Sequence, residues 1–337
     1  MSKRKLTRRQ SWRIEKVQQE KADRIDKKAR KLSDSDDLGD EEEGLIVSHF
    51  GTLVEVEPLA PPTDPIRCHF RTNLGSLVTG DRVVMRRGQS GYGVIETILP
   101  RTSLLSRPDP RGNLKPVAAN IDFMILVVTP EPAPSGVLID RYLVAAELQK
   151  IPIKILLNKT DLLNEMNEVA IDALLNTYRD IGYPVMECSA KTEQGLAELQ
   201  LELDQKTSVF VGQSGVGKTS LVNALLPGVN ARVGALSEGS KLGRHTTTNA
   251  RLFHFPFGGD LIDSPGIREF GLWHLDPDKV IEGFRDFDPW RFECRFRDCR
   301  HLQEPGCALH QAVENGKIER QRVENYFSIR EALLEGR

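Results

Sequence analysis

"SVFVGQSGVGKTSLVNAL" fills residues 208–225, and its reading decides the fold. An apolar run enters a glycine-rich turn that matches G-x-x-x-x-G-K-[ST] over 212–219, and a helical pattern leaves it. Strand before and helix after is the context that marks a phosphate-binding loop. Gly212, Gly215 and Gly217 let the backbone bend until several N–H groups face one phosphate. Gln213, Ser214 and Val216 complete the same cradle. Lys218 is placed to reach the β- and γ-oxygens, Thr219 to give a hydroxyl to Mg²⁺, and Ser220 to hold the α-phosphate. The helix beginning near Lys218 turns its positive end toward the anion.

Working upstream, "KILLNKTDLL" at 154–163 closes another buried strand with Asn158, Lys159, Thr160 and Asp161. An ionised carboxylate only accepts hydrogen bonds. Guanine offers N1–H and its 2-amino group side by side, so Asp161 can accept both. Adenine would face that carboxylate with an acceptor and leave it unpaired. Asn158 can tie this segment to the phosphate loop, and Lys159 can lay its stem over the base. "CSAK" follows at 188–191, where Ser189, Ala190 and Lys191 belong to the base site, Ala190 offering a backbone N–H to guanine O6. The base reader thus precedes the phosphate loop by about fifty residues, the reverse of the usual GTPase order.

Downstream, "LIDSPGI" at 261–267 is a strand ending in D-x-x-G. Asp263 is expected to hold Mg²⁺ through water and Gly266 to give its N–H to the γ-phosphate. The water-orienting glutamine of Ras-like enzymes is replaced here by Ile267, which cannot orient water. "GRHTTT" at 243–248 stands where a first switch belongs. Thr247 or Thr248 is expected at Mg²⁺ and γ-phosphate, and His245 is the candidate for orienting water, against the plain alternative of an exposed loop histidine.

The 337 residues suggest two or three domains, and the net charge of −2 hides an asymmetry. Residues 1–44 read as a disordered tail, basic to 31 and acidic in "DSDDLGDEEE" at 34–43. It is a solvated appendage or an RNA-seeking arm. Residues 45–105 carry short alternating runs broken by Gly, Pro, Asn and Asp, about five strands, as in an OB-type β-barrel. Its Arg67, Arg71, Arg82, Arg86 and Arg87 suit RNA contact, though many such barrels serve only protein contacts. A linker is expected over 101–116. From "NIDFMILVVT" at 120–129, strands alternate with helices, which implies a mostly parallel sheet covered on both faces, and the nucleotide domain is set at 106–272.

Three of the five cysteines crowd into a C-terminal module set at 273–337. Cys294, Cys299, His301 and Cys307 have the spacing C-x₄-C-x-H-x₅-C, which can close a tetrahedral Zn²⁺ shell in a structural role. His310 is a weaker alternative ligand. Arg291, Arg295, Arg297 and Arg300 interleave with these residues, either to meet RNA phosphates or as plain surface charge. Cys68 and Cys188 stand apart as incidental thiols of a reducing compartment. No segment is apolar for the length of a membrane span, and the basic N-terminus lacks the apolar core of a secretory signal, so a cytoplasmic protein is expected.

The order NKTD, SAK, GQSGVGKT, GRHTTT, DSPG, with a barrel before and a Cys/His cluster after, resembles the bacterial ribosome-small-subunit-dependent GTPase A family from about Leu45 onward. The resemblance implies a multidomain α/β protein: an OB-type barrel, a circularly permuted P-loop GTPase domain and a zinc-binding helical module. It implies a monomeric GTP hydrolase that docks on the small ribosomal subunit and its rRNA, assists late maturation, and is stimulated by the subunit. The alternative reading is a nucleotide-gated rRNA-binding assembly switch with little stimulation.

Overall fold

The structure, a computed structural model, describes residues 38–50, 53–89, 91–108, 114–227, 250–264, 276–302 and 304–335. His245, Thr247, Thr248 and Gly266, with most of the N-terminal tail, lie outside them. The described residues form two compact units, one of 38–102 with 250–252, the other of 103–227 with 253–264 and 276–335.

The first unit is a five-stranded barrel of β1 (Leu38–Phe50), β2 (Leu53–Pro58), β3 (Ile66–Phe70), β4 (Arg82–Gly88) and β5 (Tyr92–Ile98). Its strands neighbour one another in the order β1-β2-β3-β5-β4, and β4 pairs back onto β1, which closes the ring and abolishes the edge. Alternation sends Ile46, Val54, Val56, Cys68, Val83, Met85 and Ile95 inward, each 1% exposed or less. Here the tail expectation is corrected. Residues 38–44 are not an end of a disordered tail; they are the first half of β1, with Glu41 opposite Arg86 and Glu43 opposite Val84. The acidic composition concealed this, because the partner strand supplies arginines. Gly44 stands where β1 passes from β4 to β2, and a Cβ there would meet Val56 Cγ1 at 2.4 Å.

The second unit begins with an antiparallel pair, β6 (Leu104–Pro108) and β7 (Leu114–Ala119), in place of the expected linker. Then come β8 (Phe123–Val128), α1 (Gly136–Leu148), β9 (Ile153–Leu157), α2 (Glu168–Ile181), β10 (Val185–Glu187), α3 (Leu196–Leu203), β11 (Thr207–Val211) and α4 (Lys218–Leu225). β12 (Arg251–His254) and β13 (Asp260–Asp263) follow. β10-β9-β8-β11-β13 run parallel as consecutive neighbours, so all five end on one edge. Every residue of β8 is buried, as a strand covered on both faces requires. Below the sheet, Leu199, Leu203, Phe210, Leu221 and Leu225 share one core.

The link from α3 to β11 is only Asp204, Gln205 and Lys206, with Gln205 in the left-handed region at φ 53°. Gly259 closes over it: a Cβ there would sit 2.1 Å from Leu203 O. No side chain fits, so the β12–β13 turn needs glycine.

The C-terminal residues do not form a separate domain as expected; they belong to the second unit. The reason is a buried polar hub. Beyond α5 (Ala308–Glu314), α6 (Arg320–Glu335) runs for about four turns and lies against α1. Arg322 of α6, 2% exposed, pairs with the wholly buried Asp140 of α1. Asp140 also accepts from Asn325 Nδ2 at 2.6 Å and Tyr178 OH at 2.8 Å. Burial holds the Tyr178 phenol well above its ordinary pKa, so it remains a donor. Asp286 takes the other side of the Arg322 guanidinium at 2.7 and 3.1 Å, and the Phe284 ring lies 4.6 Å beneath. Each member is satisfied, which is the condition for burying charge.

Candidate nucleotide site and candidate metal centre

The phosphate loop leaves β11 at its C-terminal end and enters α4. Gly212, Gly215 and Gly217 adopt φ of 137°, 86° and 92°. Gly212 presses on the next strand, where a Cβ would lie 2.4 Å from Val127 O. Lys218 Nζ donates to the Gly212 and Gln213 carbonyls, each at 2.6 Å. Val216 turns inward and anchors the loop in the core beneath the sheet. Gln213, Ser214 and Ser220 are exposed, and Thr219 is half-buried.

β9 lies two strands away, and its end delivers Asn158, Lys159, Thr160 and Asp161 to the same edge. Asn158, 1% exposed, donates from Nδ2 to Val216 O at 2.9 Å. Lys159, itself at φ 60°, reaches Gly215 O with Nζ at 2.7 Å. A Cβ on Gly217 would lie 2.4 Å from Asn158 Nδ2, so the third loop glycine makes room for this tie. Two segments more than fifty residues apart in sequence are thereby joined by side chain to backbone.

β10 ends beside β9 and brings Ser189, Ala190 and Lys191. The buried Ser189 hydroxyl donates to Asp161 Oδ1 at 2.6 Å and accepts the Lys191 and Thr192 N–H groups at 3.3 and 3.2 Å. Lys191 Nζ stands 3.5 Å from Asp161 Oδ2. The Ser189 hydrogen bond, aided by Lys191, holds the Asp161 carboxyl below its usual range, so it stays an acceptor. The Ala190 N–H points at Asn158 Oδ1 at 3.4 Å. Ser189 was expected merely as part of the site; its grip on Asp161 needs a tertiary contact and has no sequence signal beyond the motif itself.

β13 flanks β11 on the other side, with Asp260 beside Thr207. Asp263, 7% exposed, ends β13 next to the strand that leads into the phosphate loop. The edge therefore gathers a glycine-rich turn, a lysine, a hydroxyl and two strand-end carboxylates, Asp161 and Asp263.

The second cluster lies in the C-terminal part. Ligand atoms of Cys294, Cys299, His301 and Cys307 all lie within 4.8 Å of one another. His301 Nδ1 stands 3.4, 3.7 and 3.5 Å from the sulfurs of Cys294, Cys299 and Cys307. The Ala308 N–H points at Cys294 Sγ at 3.3 Å, a donor that favours a thiolate. One metal ion could touch all four. His310 turns away and spends Nε2 on the His301 carbonyl at 2.9 Å, so it is not a ligand candidate. Of the interleaved arginines, Arg291 is tied to Asp288 at 3.2 Å and stacks on Phe292, while Arg297 and Arg300 are exposed. Burial pushes the lone thiols Cys68 and Cys188 up to about 12, which keeps them unreactive. Among the described residues, no helix is long and apolar enough to cross a membrane.

Comparison with known proteins agrees with this construction. The family model "RsgA GTPase" matches residues 98–273. The small ribosomal subunit biogenesis GTPase RsgA of Azotobacter vinelandii is 57% identical over 342 residues, 99% of each chain. Its counterpart from Ectopseudomonas mendocina is 56% identical over 340 residues, again 99% of each. Among solved structures, YjeQ from Thermotoga maritima superposes with a TM-score of 0.73 at 36% identity, covering 87% of this chain and 99% of that one. YloQ, described as a circularly permuted GTPase, gives 0.70 at 29% identity, over 88% and 96%. The sheet edge, the inverted order of its loops and these full-length similarities lead to one conclusion: the chain belongs to the RsgA GTPase family, and is a GTP-hydrolysing enzyme.

Proposed function

We propose that this chain is a GTPase of small ribosomal subunit biogenesis, binding the subunit and its rRNA as a monomer in the cytoplasm. One observation carries the nucleotide part: Asn158 and Lys159 are hydrogen-bonded to the carbonyls of Val216 and Gly215, so base reader and phosphate cradle form one pocket edge. In this reading Asp161 accepts guanine N1–H and the 2-amino group, Lys159 covers the base, and Ser189, Thr160, Ala190 and Lys191 frame it. Backbone N–H groups of 212–217 and the Lys218 ammonium take the phosphates, with Ser220 at the α-phosphate. Thr219 and Asp263 would hold Mg²⁺, which supplies charge neutralisation at the β- and γ-oxygens. Gly266, Thr247 and Thr248 complete the γ-phosphate contacts, and His245 orients the attacking water.

The Cys₃His cluster holds zinc in this reading. A tetrahedral shell with Zn–S of about 2.3 Å and Zn–N of about 2.0 Å sets sulfur–nitrogen separations of about 3.5 Å and sulfur–sulfur of about 3.8 Å. The cluster's 3.4–3.7 Å and the 4.0 Å between Cys294 and Cys307 fit that shell. Four protein ligands leave no open position, so the role is structural.

GTP turnover titrated with purified small subunits, large subunits and naked rRNA tests the proposal. Small subunits alone should accelerate turnover by about a hundredfold or more, the low end of what a correctly positioned acid–base group contributes. Unaccelerated turnover with intact GTP binding would leave the chain an RNA-binding assembly switch instead.

A further inference from the structure

The barrel carries a charge arrangement that the nucleotide edge does not use. Arg86 and Arg87 close β4, and the strand laid against them is the acidic half of β1. Arg86 Nη2 donates to Glu41 Oε1 at 2.7 Å. Arg87 meets Glu42 at two points, Nε to Oε1 at 2.6 Å and Nη2 to Oε2 at 3.0 Å. Its Nη2 also donates to the Pro62 carbonyl at 2.8 Å. Asp40 and Glu96 add negative charge around Arg86, and Asp64 around Arg87.

A guanidinium held in a two-point fork by a carboxylate presents the same donors that a phosphate would take. The backbone ladder from Leu38 opposite Gly88 to Leu45 opposite Arg82 keeps these carboxylates in place, so they compete as tethered groups. The Arg86 and Glu41 side chains are 36% and 59% exposed, so the pair is weak, screened by salt and reachable from solvent. Only side chains need to swing for it to open; the strand pairing can stay.

We propose that the acidic half of β1 is a carboxylate cover on Arg86 and Arg87, and that RNA must displace Glu41 and Glu42 to use this edge of the barrel. The idea depends on the reading above that RNA is a partner. It makes the barrel's RNA affinity lower than its arginine content suggests, and adjustable by whatever moves the acidic strand.

The test is fluorescence anisotropy of the full-length chain with a short labelled RNA hairpin, across about 50 to 200 mM KCl, the range in which phosphate contacts declare themselves. E41Q/E42Q keeps side-chain shape and removes the competing charge. It should bind roughly five- to tenfold tighter, with a log K against log salt slope steeper by ~1.5 to 2, close to one counterion per freed arginine. R86Q/R87Q should barely weaken the parent chain, yet abolish the gain in the E41Q/E42Q background. E55Q/E165Q serves as the control for net charge and should change little. The proposal is overturned if E41Q/E42Q binds no tighter, if its slope is unchanged, if the control matches it, or if no form binds the RNA. It is equally overturned if R86Q/R87Q weakens the parent as much as the glutamine variant, because the arginines would then be open already. A loss of thermal stability with unaltered RNA binding would mark the pairs as barrel-closing contacts only. Stimulation of GTP turnover by small subunits is measured on the parent chain, so its failure is a separate outcome.

Discussion

Two sites in the second unit are built on opposite plans. The nucleotide edge collects Asn158, Asp161, Ser189, Lys218 and Asp263 from four strand ends, and parallel pairing of β9, β10, β11 and β13 within one sheet aligns them. The Cys/His cluster draws its four candidate donors from residues 294–307, one short stretch of chain. A site made by a sheet edge depends on where strands lie, not on the order in which the chain visits them. That is why a chain closed through Asp204, Gln205 and Lys206 and reopened elsewhere still brings the ends of β9, β10, β11 and β13 to one edge. A cluster made from adjacent residues has no such freedom, because its spacing is the site.

The sharpest way to break this contrast is metal removal. Structural zinc contributes on the order of 10–16 kcal/mol to small modules that otherwise lack a core. Chelation, or Cys307→Ser, should abolish amide protection through 292–310 while GDP affinity stays within about threefold, as distant sites behave independently. Protection that survives chelation would show that packing, not metal, holds the knob. A large loss of GDP affinity would show that the two sites are one.

The buried Asp140–Arg322 hub gives the next largest effect. Arg322→Met leaves Asp140 buried and uncompensated, a loss of roughly 3–5 kcal/mol. Thermal denaturation should report it as a lowered midpoint, and pairing it with Asp140→Leu should recover most of the loss. A double variant as unstable as the single one would mean that Asp286 or Asn325, not Asp140, carries the cost.

Asp161→Asn comes third and strikes the nucleotide edge alone. The ratio of GDP to ADP affinity should fall about a hundredfold, since an amide presents a donor where guanine also donates. An unaltered ratio would remove Asp161 from base recognition.

The same contrast explains what the sequence made legible. The convergence of NKTD, SAK and the phosphate loop was legible because each follows a short apolar run, and strand–helix alternation dictates a parallel sheet whose ends coincide. That Cys294, Cys299, His301 and Cys307 converge was legible because they fall within one short stretch of sequence. Asp140 and Arg322 were not, because Asp140 sits beside Arg141 like an ordinary surface pair and its buried partner is 182 residues away. The pairing of Glu41 and Glu42 was hidden by composition: an acidic run has the look of a solvated tail until a strand carrying Arg86 and Arg87 is set beside it. β6 and β7 were read as a linker because Pro108, Pro110 and Pro116 mask a short pair.

The smallest effect concerns how the base-reading corner is held. In the folded chain the Ser189 hydroxyl, then Lys191, lowers the Asp161 pKa. A carboxyl lowered in this way contributes stability that is fully present above its unfolded value, near ~3.9, and is lost as pH falls through the lower folded value. Preference for guanine over adenine nucleotides should therefore persist below the pH at which an ordinary aspartate protonates. Ser189→Ala removes the first cause and leaves the second. Its acid limb of GDP binding should move upward, toward the ordinary carboxyl range, with a loss of about tenfold or less at neutral pH, where Asp161 is ionised in either form. The hydroxyl also accepts the Lys191 and Thr192 N–H groups, so Lys191→Ala separates the two roles: it withdraws charge but spares the hydroxyl, and should shift the limb less. Should the limb of Ser189→Ala coincide with that of the parent, Ser189 is not what keeps the carboxylate ionised, and the order of this corner comes from the strand ends alone.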